Sequence, residues 1–220
     1  VSSGLGSSGC SVVASLYALN EFYNQPLNQL ELLKLMGKLE SRISGGLHYD
    51  NVAPTYLGGL QLMSSDNNKI TQSLPVFEDV YWVIAYPDIE ISTKSAREIL
   101  PKNYDRQTAI TFARNLAGFI DACYRKDKQQ AFFCLTDVIA EPYRKNLLPH
   151  FDLAKTTLKE LGALAIGISG SGPSLFCATD DLSIAQKSSD WLNENYLQSD
   201  DGFVHICKAD LLGTRKISPS

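Results

Sequence analysis

The sequence predicts an α+β fold with antiparallel sheets. Segments in which apolar residues recur at helical spacing interleave with short apolar runs bounded by turn residues, and two of these runs are joined by the Asp-Asn-Asn turn at residues 66–68. The apolar fraction of 44% is typical of a globular protein, and 220 residues suffice for one large domain or two modest ones.

Helices are expected to dominate the first third of the chain. The first helix runs from about Ser8 to Asn24, where an Asn-Gln-Pro sequence ends it. The second begins at Asn28, where Glu31 can complete a capping box. The elements expected after it are a stop at Ser44-Gly45-Gly46, a short helix ending at Gly58-Gly59, and strands at Leu60–Ser64 and Lys69–Leu74.

The apolar run at residues 81–86 predicts a buried strand, and a domain boundary is expected just before it. This boundary divides the chain into residues 1–78 and 79–220. The elements expected in the second part are a short helix from Thr93, a long helix over about Arg106–Arg125, further helical segments to about Leu161, strands at Ala163–Ile168 and Ser174–Ala178, a helix at Leu182–Tyr196 and a strand at Phe203–Cys207.

Composition excludes several classes of protein. A formal charge of −4 offers no basic surface of the kind that nucleic-acid-binding proteins carry. No run of 18 apolar residues and no signal-peptide pattern occurs, so nothing indicates a membrane or exported protein. The five cysteines are widely spaced and form no CxxC or CxxH unit, which argues against zinc and favours the reducing cytoplasm.

The loop at residues 4–11, Gly-Leu-Gly-Ser-Ser-Gly-Cys-Ser, leads directly into the first helix. A glycine-rich loop before a helix offers free backbone N–H groups and the positive end of the helix dipole to an anion such as a phosphate. The alternative interpretation is a helix cap that is merely rich in glycine and serine. The loop is not a Walker A motif, because the lysine of that motif is absent.

A second glycine-rich loop, Gly167-Ile-Ser-Gly-Ser-Gly-Pro173, lies between two expected strands. Taken alone, it is consistent either with a tight hairpin connection or with a ligand-binding loop. Two such loops with serines in one chain of this size favour an anion-lined cleft between them.

Glu40 breaks the pattern of its helix. Leu33, Met36, Leu39 and Ile43 define one apolar arc, and Glu40 falls within it. A carboxylate there needs a cation, a metal ion or hydrogen bonds, unless it reaches solvent near the helix end. Beside a phosphate-binding loop it could hold Mg²⁺, which prefers oxygen ligands.

Two arginines and one histidine lack an explanation in the helix and strand patterns. Arg97 is expected in the first turn of the helix that Thr93 caps, where it would oppose the helix dipole unless an anion binds it. Arg144 follows a proline-marked turn, and His48 lies in a glycine-rich loop. A solvated arginine and a structural histidine are the alternative interpretations.

The residues quoted above resemble those of a known family, the homoserine kinases of the GHMP kinase superfamily, in particular the enterobacterial type. The first loop is similar to the phosphate-binding motif of the superfamily, and Gly170-Ser-Gly-Pro173 resembles its C-terminal glycine-rich motif. The segment His48-Tyr-Asp-Asn-Val-Ala-Pro54 separates homoserine kinases from mevalonate kinases and galactokinases. The likeness runs along essentially the whole chain.

The resemblance implies a GHMP kinase fold, in which a domain like ribosomal protein S5 domain 2 precedes a ferredoxin-like domain. It implies transfer of the γ-phosphoryl group of ATP to the hydroxyl of L-homoserine, in threonine biosynthesis, and a possible homodimer. Ser11 and Glu40 match the Mg²⁺ site, Asn51 lies near the transferring phosphate, and His48, Thr93, Arg97 and Arg144 match the homoserine pocket. The residues expected around ATP are Val1, Ser2, Ser3, Gly4, Leu5, Gly6, Ser7, Ser8, Gly9, Cys10 and Ser11.

The chain departs from the family at its N-terminus. It begins with Val1 on the phosphate-binding loop, and an N-terminal portion that helps to hold homoserine and adenine is expected to be missing. We therefore expect this 220-residue chain alone to be inactive. Two alternatives remain open, namely a kinase for another small alcohol such as mevalonate and a non-catalytic nucleotide-binding module.

Overall fold

The structure is a computed structural model that describes residues 3–66 and 68–217, with the side chains of Ile43 and Ser44 excepted. Helices and antiparallel strands are mixed, as the predicted α+β class requires. The described chain forms two compact units. Unit 1 comprises residues 6–76 together with residues from 209 onward, and unit 2 comprises residues 77–208 together with the N-terminal residues up to Leu5.

Unit 1 consists of helices and a two-stranded antiparallel sheet. Strands β1 and β2 pair with Leu60 opposite Leu74. The core of the unit contains Val13, Leu32 and Met36, each at most 1% exposed. The elements of this unit are α1 (Ser7–Phe22), α2 (Gln29–Ser44), α3 (Val52–Leu57), β1 (Leu60–Met63) and β2 (Thr71–Leu74).

Local sequence determines where α2 begins and ends. Asn28 accepts a hydrogen bond from the backbone N–H of Glu31, and the Glu31 carboxylate accepts one from the backbone N–H of Asn28. This reciprocal arrangement is the capping box that the sequence predicts. The helix ends at Gly45, whose φ of 78° is the left-handed conformation that glycine adopts without strain.

Unit 2 contains a four-stranded antiparallel sheet in the order β4-β5-β3-β6. Its strands and principal helices follow the β-α-β-β-α-β order of a ferredoxin-like fold, which the family resemblance implied. Val83, Leu175, Leu192 and Tyr196 are fully buried in its core. The elements are β3 (Tyr81–Tyr86), α4 (Thr93–Glu98), α5 (Arg106–Arg125), α6 (Lys128–Cys134), α7 (Glu141–Arg144), α8 (Phe151–Glu160), β4 (Ala165–Ile168), β5 (Leu175–Thr179), α9 (Leu182–Asn195) and β6 (Phe203–Cys207).

The prediction for α4 is wrong in one respect. Ser92, not Thr93, is the N-cap residue, because its hydroxyl accepts a hydrogen bond from the backbone N–H of Ser95 at 3.0 Å. Thr93 is instead the first helical residue, and Arg97 lies in the last turn of this six-residue helix. A cation there is favourably placed in the helix dipole, so the dipole supplies no reason to expect an anion beside Arg97.

The segment after β6 returns to unit 1. The backbone N–H of Gly59 donates to the carbonyl of Asp210 at 2.7 Å, and that of Thr214 donates to the carbonyl of Tyr56 at 3.1 Å. The compact units place residues 3–5 with unit 2 and residues from 209 onward with unit 1, and the domain boundary between residues 78 and 79 stays a prediction from the sequence. Within the described ranges, every helix is too short or too polar to cross a bilayer.

Removal of the Asn28 side-chain cap should destabilise unit 1. Asn28→Ala leaves the N–H of Glu31 without its side-chain acceptor, and we expect the free energy of unfolding to fall by about 1 kcal/mol in denaturant titrations. Gln29→Ala, which changes the neighbouring exposed residue, is the control and should shift the free energy by less than about 0.5 kcal/mol. Equal effects of the two substitutions would contradict the capping role.

Candidate active site

The start of the first glycine-rich loop lies against the second one, within unit 2. The Ser174 hydroxyl donates to the carbonyl of Ser3 at 2.6 Å, and the Ser169 hydroxyl donates to the carbonyl of Gly4 at 2.9 Å. A Cβ atom on Gly4 would lie 2.5 Å from the carbonyl oxygen of Ser169. Only glycine therefore fits at Gly4, where φ is 77°. Val1 and Ser2, also expected around ATP, lie outside the described residues.

The rest of the first loop belongs to unit 1 and opens α1. Gly6, at the N-cap position, has a φ of 70° and supplies no side-chain cap. The first N–H groups of a helix have no partner within the helix, so this end offers donors to a ligand. The loop therefore has the geometry that anion binding requires, and its role at phosphate stays a prediction.

Glu40 is buried in unit 1, as its place in the apolar arc predicts. Its side chain is 6% exposed, and its Oε1 accepts a hydrogen bond of 2.5 Å from the Ser8 hydroxyl. Leu33 and Met36 of the same arc are buried, whereas Leu39 is 39% exposed. The arc is therefore narrower than the sequence predicts, and Glu40 lies on its buried side.

The structure brings Ser8, rather than Ser11, into contact with Glu40. The Ser11 hydroxyl donates to the carbonyl of Ser7 one turn back along its own helix, at 3.1 Å. Sequence reasoning included Ser8 among the phosphate-binding residues but not in the metal site. The burial of Glu40 is the signal that could have identified it, since a buried carboxylate requires a nearby donor.

The Ser8–Glu40 pair provides a suitable but incomplete ligand set for Mg²⁺. Carboxylate and hydroxyl oxygens are the ligands that Mg²⁺ prefers, and it commonly takes only one or two from protein and the rest from phosphate and water. Consistent with this, no three His, Cys, Asp or Glu side chains among the described residues cluster closely enough to hold a metal ion.

Asn51 lies beside the first loop, within unit 1. A Cβ atom on Gly6 would lie 2.9 Å from the Asn51 side-chain oxygen, and one on Gly9 would lie 3.3 Å from the Asn51 Cβ. His48 is exposed near Gly46, where an added Cβ would lie 2.8 Å from the His48 Nε2. Asn51 thus lies at the N-terminus of α1, whereas His48 lies against Gly46 of its own loop.

Arg144 connects α4 to the second glycine-rich loop, within unit 2. Its Nε donates to the carbonyl of Ala96 and its Nη1 to the carbonyl of Gly170, each at 3.0 Å. Burial lowers the pKa of Arg144 against the opposing effects of Asp137 and Tyr104, and the charge of Arg97 lowers it to a smaller extent. Guanidinium groups bind carboxylates through paired hydrogen bonds, so Arg144 is a candidate partner for an anionic substrate group.

Thr93, on the same short helix as Arg97, is exposed, and among the described residues no hydrogen bond or ion pair joins its side chain to either arginine. A cavity of about 220 Å³ in unit 1 is lined by Lys34, Lys38 and Tyr49 among others, and contains none of the predicted site residues.

Substitution of Gly4 tests the close approach of the two loops. Gly4→Ala adds both the strain of a positive φ and a clash with two backbone carbonyls. Gly45→Ala is the matched control, since Gly45 has nearly the same φ of 78° but open space around its Cα. In urea unfolding, the control should cost about 1 kcal/mol and Gly4→Ala at least about 2 kcal/mol. Equal costs would mean that the loops do not pack as described.

Comparison with known proteins identifies the family. The model for the GHMP kinases N terminal domain matches residues 1–59, and that for the GHMP kinases C terminal domain matches residues 119–196. A solved homoserine kinase from Cytophaga hutchinsonii is 33% identical, with a TM-score of 0.91 over 97% of this chain and 68% of that one.

Two further structures are more distant. A putative homoserine kinase from Listeria monocytogenes is 23% identical, with a TM-score of 0.70 over 98% of this chain and 71% of that one. The L. major mevalonate kinase, solved with R-mevalonate, is 21% identical, with a TM-score of 0.66 over 93% of this chain and 66% of that one. With two domain models matched and a homoserine kinase that is similar over 97% of this chain, this chain belongs to the GHMP kinase family.

Proposed function

We propose that the protein phosphorylates the side-chain hydroxyl of L-homoserine with ATP, which forms O-phospho-L-homoserine for threonine biosynthesis. The observation that carries this proposal is the 33% identity to a homoserine kinase over 97% of this chain, and two arginines of unit 2 offer a position for the substrate carboxylate. Arg144 is held by two backbone carbonyls with the charge of Arg97 nearby, and neither arginine forms an ion pair within the described residues. A carboxylate is the substrate group that such a pair binds best.

The phosphates of ATP are assigned to the first glycine-rich loop and the N-terminus of α1. Gly6 leaves the first turn of α1 without a side-chain cap, so its N–H groups are available to phosphate oxygens. The positive end of the helix dipole adds to this attraction. Cys10 and Ser11, one turn further along, complete the stretch that the family resemblance assigns to ATP.

Mg²⁺ would bind at Glu40, together with Ser8 or Ser11. When bound, the ion would neutralise charge on the phosphates during transfer. Burial makes the Glu40 carboxylate a strong electrostatic partner for a cation, because little water screens it.

Homoserine is assigned to Arg97 and Arg144 through its carboxylate, and to His48 and Thr93 through its remaining polar groups. We infer that the homoserine hydroxyl attacks the γ-phosphoryl group directly, with no side chain of this chain acting as a base. Phosphoryl transfer depends mainly on positioning and charge stabilisation, so an amide such as Asn51 beside the loop can orient groups without accepting a proton.

Another small-alcohol kinase of the GHMP family is the second candidate function. The fold alone does not separate the two functions, because the L. major mevalonate kinase also matches 93% of this chain. Mevalonate also carries a carboxylate, so the His48–Pro54 segment and the higher identity to a homoserine kinase support the first candidate. A non-catalytic nucleotide-binding module is the third candidate, and the presence of Ser11, Glu40, His48, Arg97 and Arg144 together argues against it.

Production of ADP tests the proposed function. The protein as its gene encodes it, supplied with Mg²⁺ and ATP, should form ADP in proportion to added homoserine and at least about tenfold more slowly with mevalonate. Equal rates with both alcohols would contradict the assignment to homoserine, and nucleotide binding without turnover would indicate the non-catalytic module.

Substitution of the two serines tests which hydroxyl serves the metal site. Ser8→Ala should raise the Mg²⁺ concentration required for half-maximal activity by about tenfold, because it removes the hydroxyl that contacts Glu40. Ser11→Ala is the matched control on the same helix, since the Ser11 hydroxyl is bound to the Ser7 carbonyl. The reverse order of effects would restore Ser11 as the metal ligand.

A further inference from the structure

Tyr196 is a buried side chain that the proposed chemistry does not use. It follows directly after α9, is fully buried in the core of unit 2, and its phenol donates a hydrogen bond to the carbonyl of Pro173 at 3.1 Å. Burial raises the pKa of Tyr196, so the phenol remains protonated and acts as a donor. Its acceptor lies in the second glycine-rich loop, two residues before β5 begins.

The next residue along the loop, Ser174, carries the contact to the first loop. Ser174 is fully buried, and both its hydroxyl and its backbone N–H donate to the carbonyl of Ser3, at 2.6 and 3.2 Å. The carbonyl of Ser174 accepts from the N–H of Ser169 at 2.8 Å, which closes the second loop on itself. The peptide group between Pro173 and Ser174 is therefore held at its carbonyl by Tyr196 and at its N–H by Ser3.

The orientation of the Ser3 carbonyl also fixes the direction of the Gly4 backbone N–H, a group that can donate a hydrogen bond to a phosphate. In a trans peptide the C=O and N–H groups point in opposite directions, so the Ser3 carbonyl that faces Ser174 directs the N–H of Gly4 away from the second loop. The following N–H, that of Leu5, donates to the Ser3 hydroxyl at 3.3 Å. The Ser169 hydroxyl fixes the carbonyl of Gly4 in the same manner.

We infer that Tyr196 is a positioning residue for the phosphate-binding loop, which it orients through Pro173 and Ser174. The inference rests on the proposed function, because it gives the first loop the task of binding ATP phosphates. It extends that function to a residue that lies in the core and touches neither substrate. Two hydrogen bonds connect Tyr196 to the first loop, and both involve the peptide group between Pro173 and Ser174. Tyr196 donates to the carbonyl of this group, and its N–H donates to the carbonyl of Ser3.

Hydrogen exchange tests the hydrogen-bonded connection without reference to activity. Tyr196→Phe keeps the ring and removes only the hydroxyl. In the protein as its gene encodes it, we expect amide exchange in peptides that cover residues 3–6 and 169–175 to become about fivefold faster. Tyr81→Phe is the matched control, because Tyr81 packs against the same core and its ring contacts Lys208. Unchanged exchange in Tyr196→Phe would overturn the inference.

Steady-state kinetics separate positioning from a purely structural role. Tyr196→Phe should raise the KM for ATP by about fivefold while the KM for homoserine changes by less than about twofold. If the role of Tyr196 were purely structural, Tyr196→Phe would lower the melting temperature and leave the ratio of the two KM values unchanged. This result would overturn the inference.

Ser174→Ala provides a second test of the same connection if Tyr196→Phe does not fold. Ser174→Ala removes the hydroxyl that donates to the same Ser3 carbonyl as the Ser174 backbone N–H, so it should raise the KM for ATP to a similar extent. The double variant should be no worse than the more severe single variant. Fully additive effects would mean that the two residues act separately, contrary to the inference. If the unsubstituted protein binds no ATP, the proposed function fails, whereas normal kinetics in both variants rejects the inference alone.

Discussion

The hydrogen bonds that hold the carbonyls of Ser3 and Gly4 are the interactions on which the candidate site depends most. A glycine-rich loop has many accessible conformations, and it binds an anion well only if its N–H groups already point the same way. Ser174 and Ser169 restrict these conformations because each donates to one carbonyl. Gly4 permits the approach, since any Cβ there would clash with the second loop. The second loop thus serves to shape the first.

Arg144 occupies a related position at the other end of the second loop. Its guanidinium binds the carbonyl of Gly170 and also that of Ala96, the residue before Arg97. The same side chain that we assign to the homoserine carboxylate therefore orders the loop that orders the phosphate-binding residues.

Local signals in the sequence predicted much of the fold. The capping box at Asn28, the buried strand at residues 81–86 and the long helix at residues 106–125 all form as expected, because cap chemistry and apolar periodicity act over a few residues. The contacts of Ser8 with Glu40 and of Tyr196 with Pro173 span 32 and 23 residues, and no local pattern reports them. The N-cap of α4 was misplaced because Ser92 and Thr93 are both good capping residues.

A crystal structure of the protein as its gene encodes it, with homoserine, Mg²⁺ and a non-hydrolysable ATP analogue, would test the central claim most directly. The account predicts phosphate oxygens at the N–H groups of the first turn of α1, Mg²⁺ in contact with Glu40, and the homoserine carboxylate at Arg97 and Arg144. Phosphates bound away from residues 4–11, or a homoserine carboxylate that touches neither arginine, would contradict it.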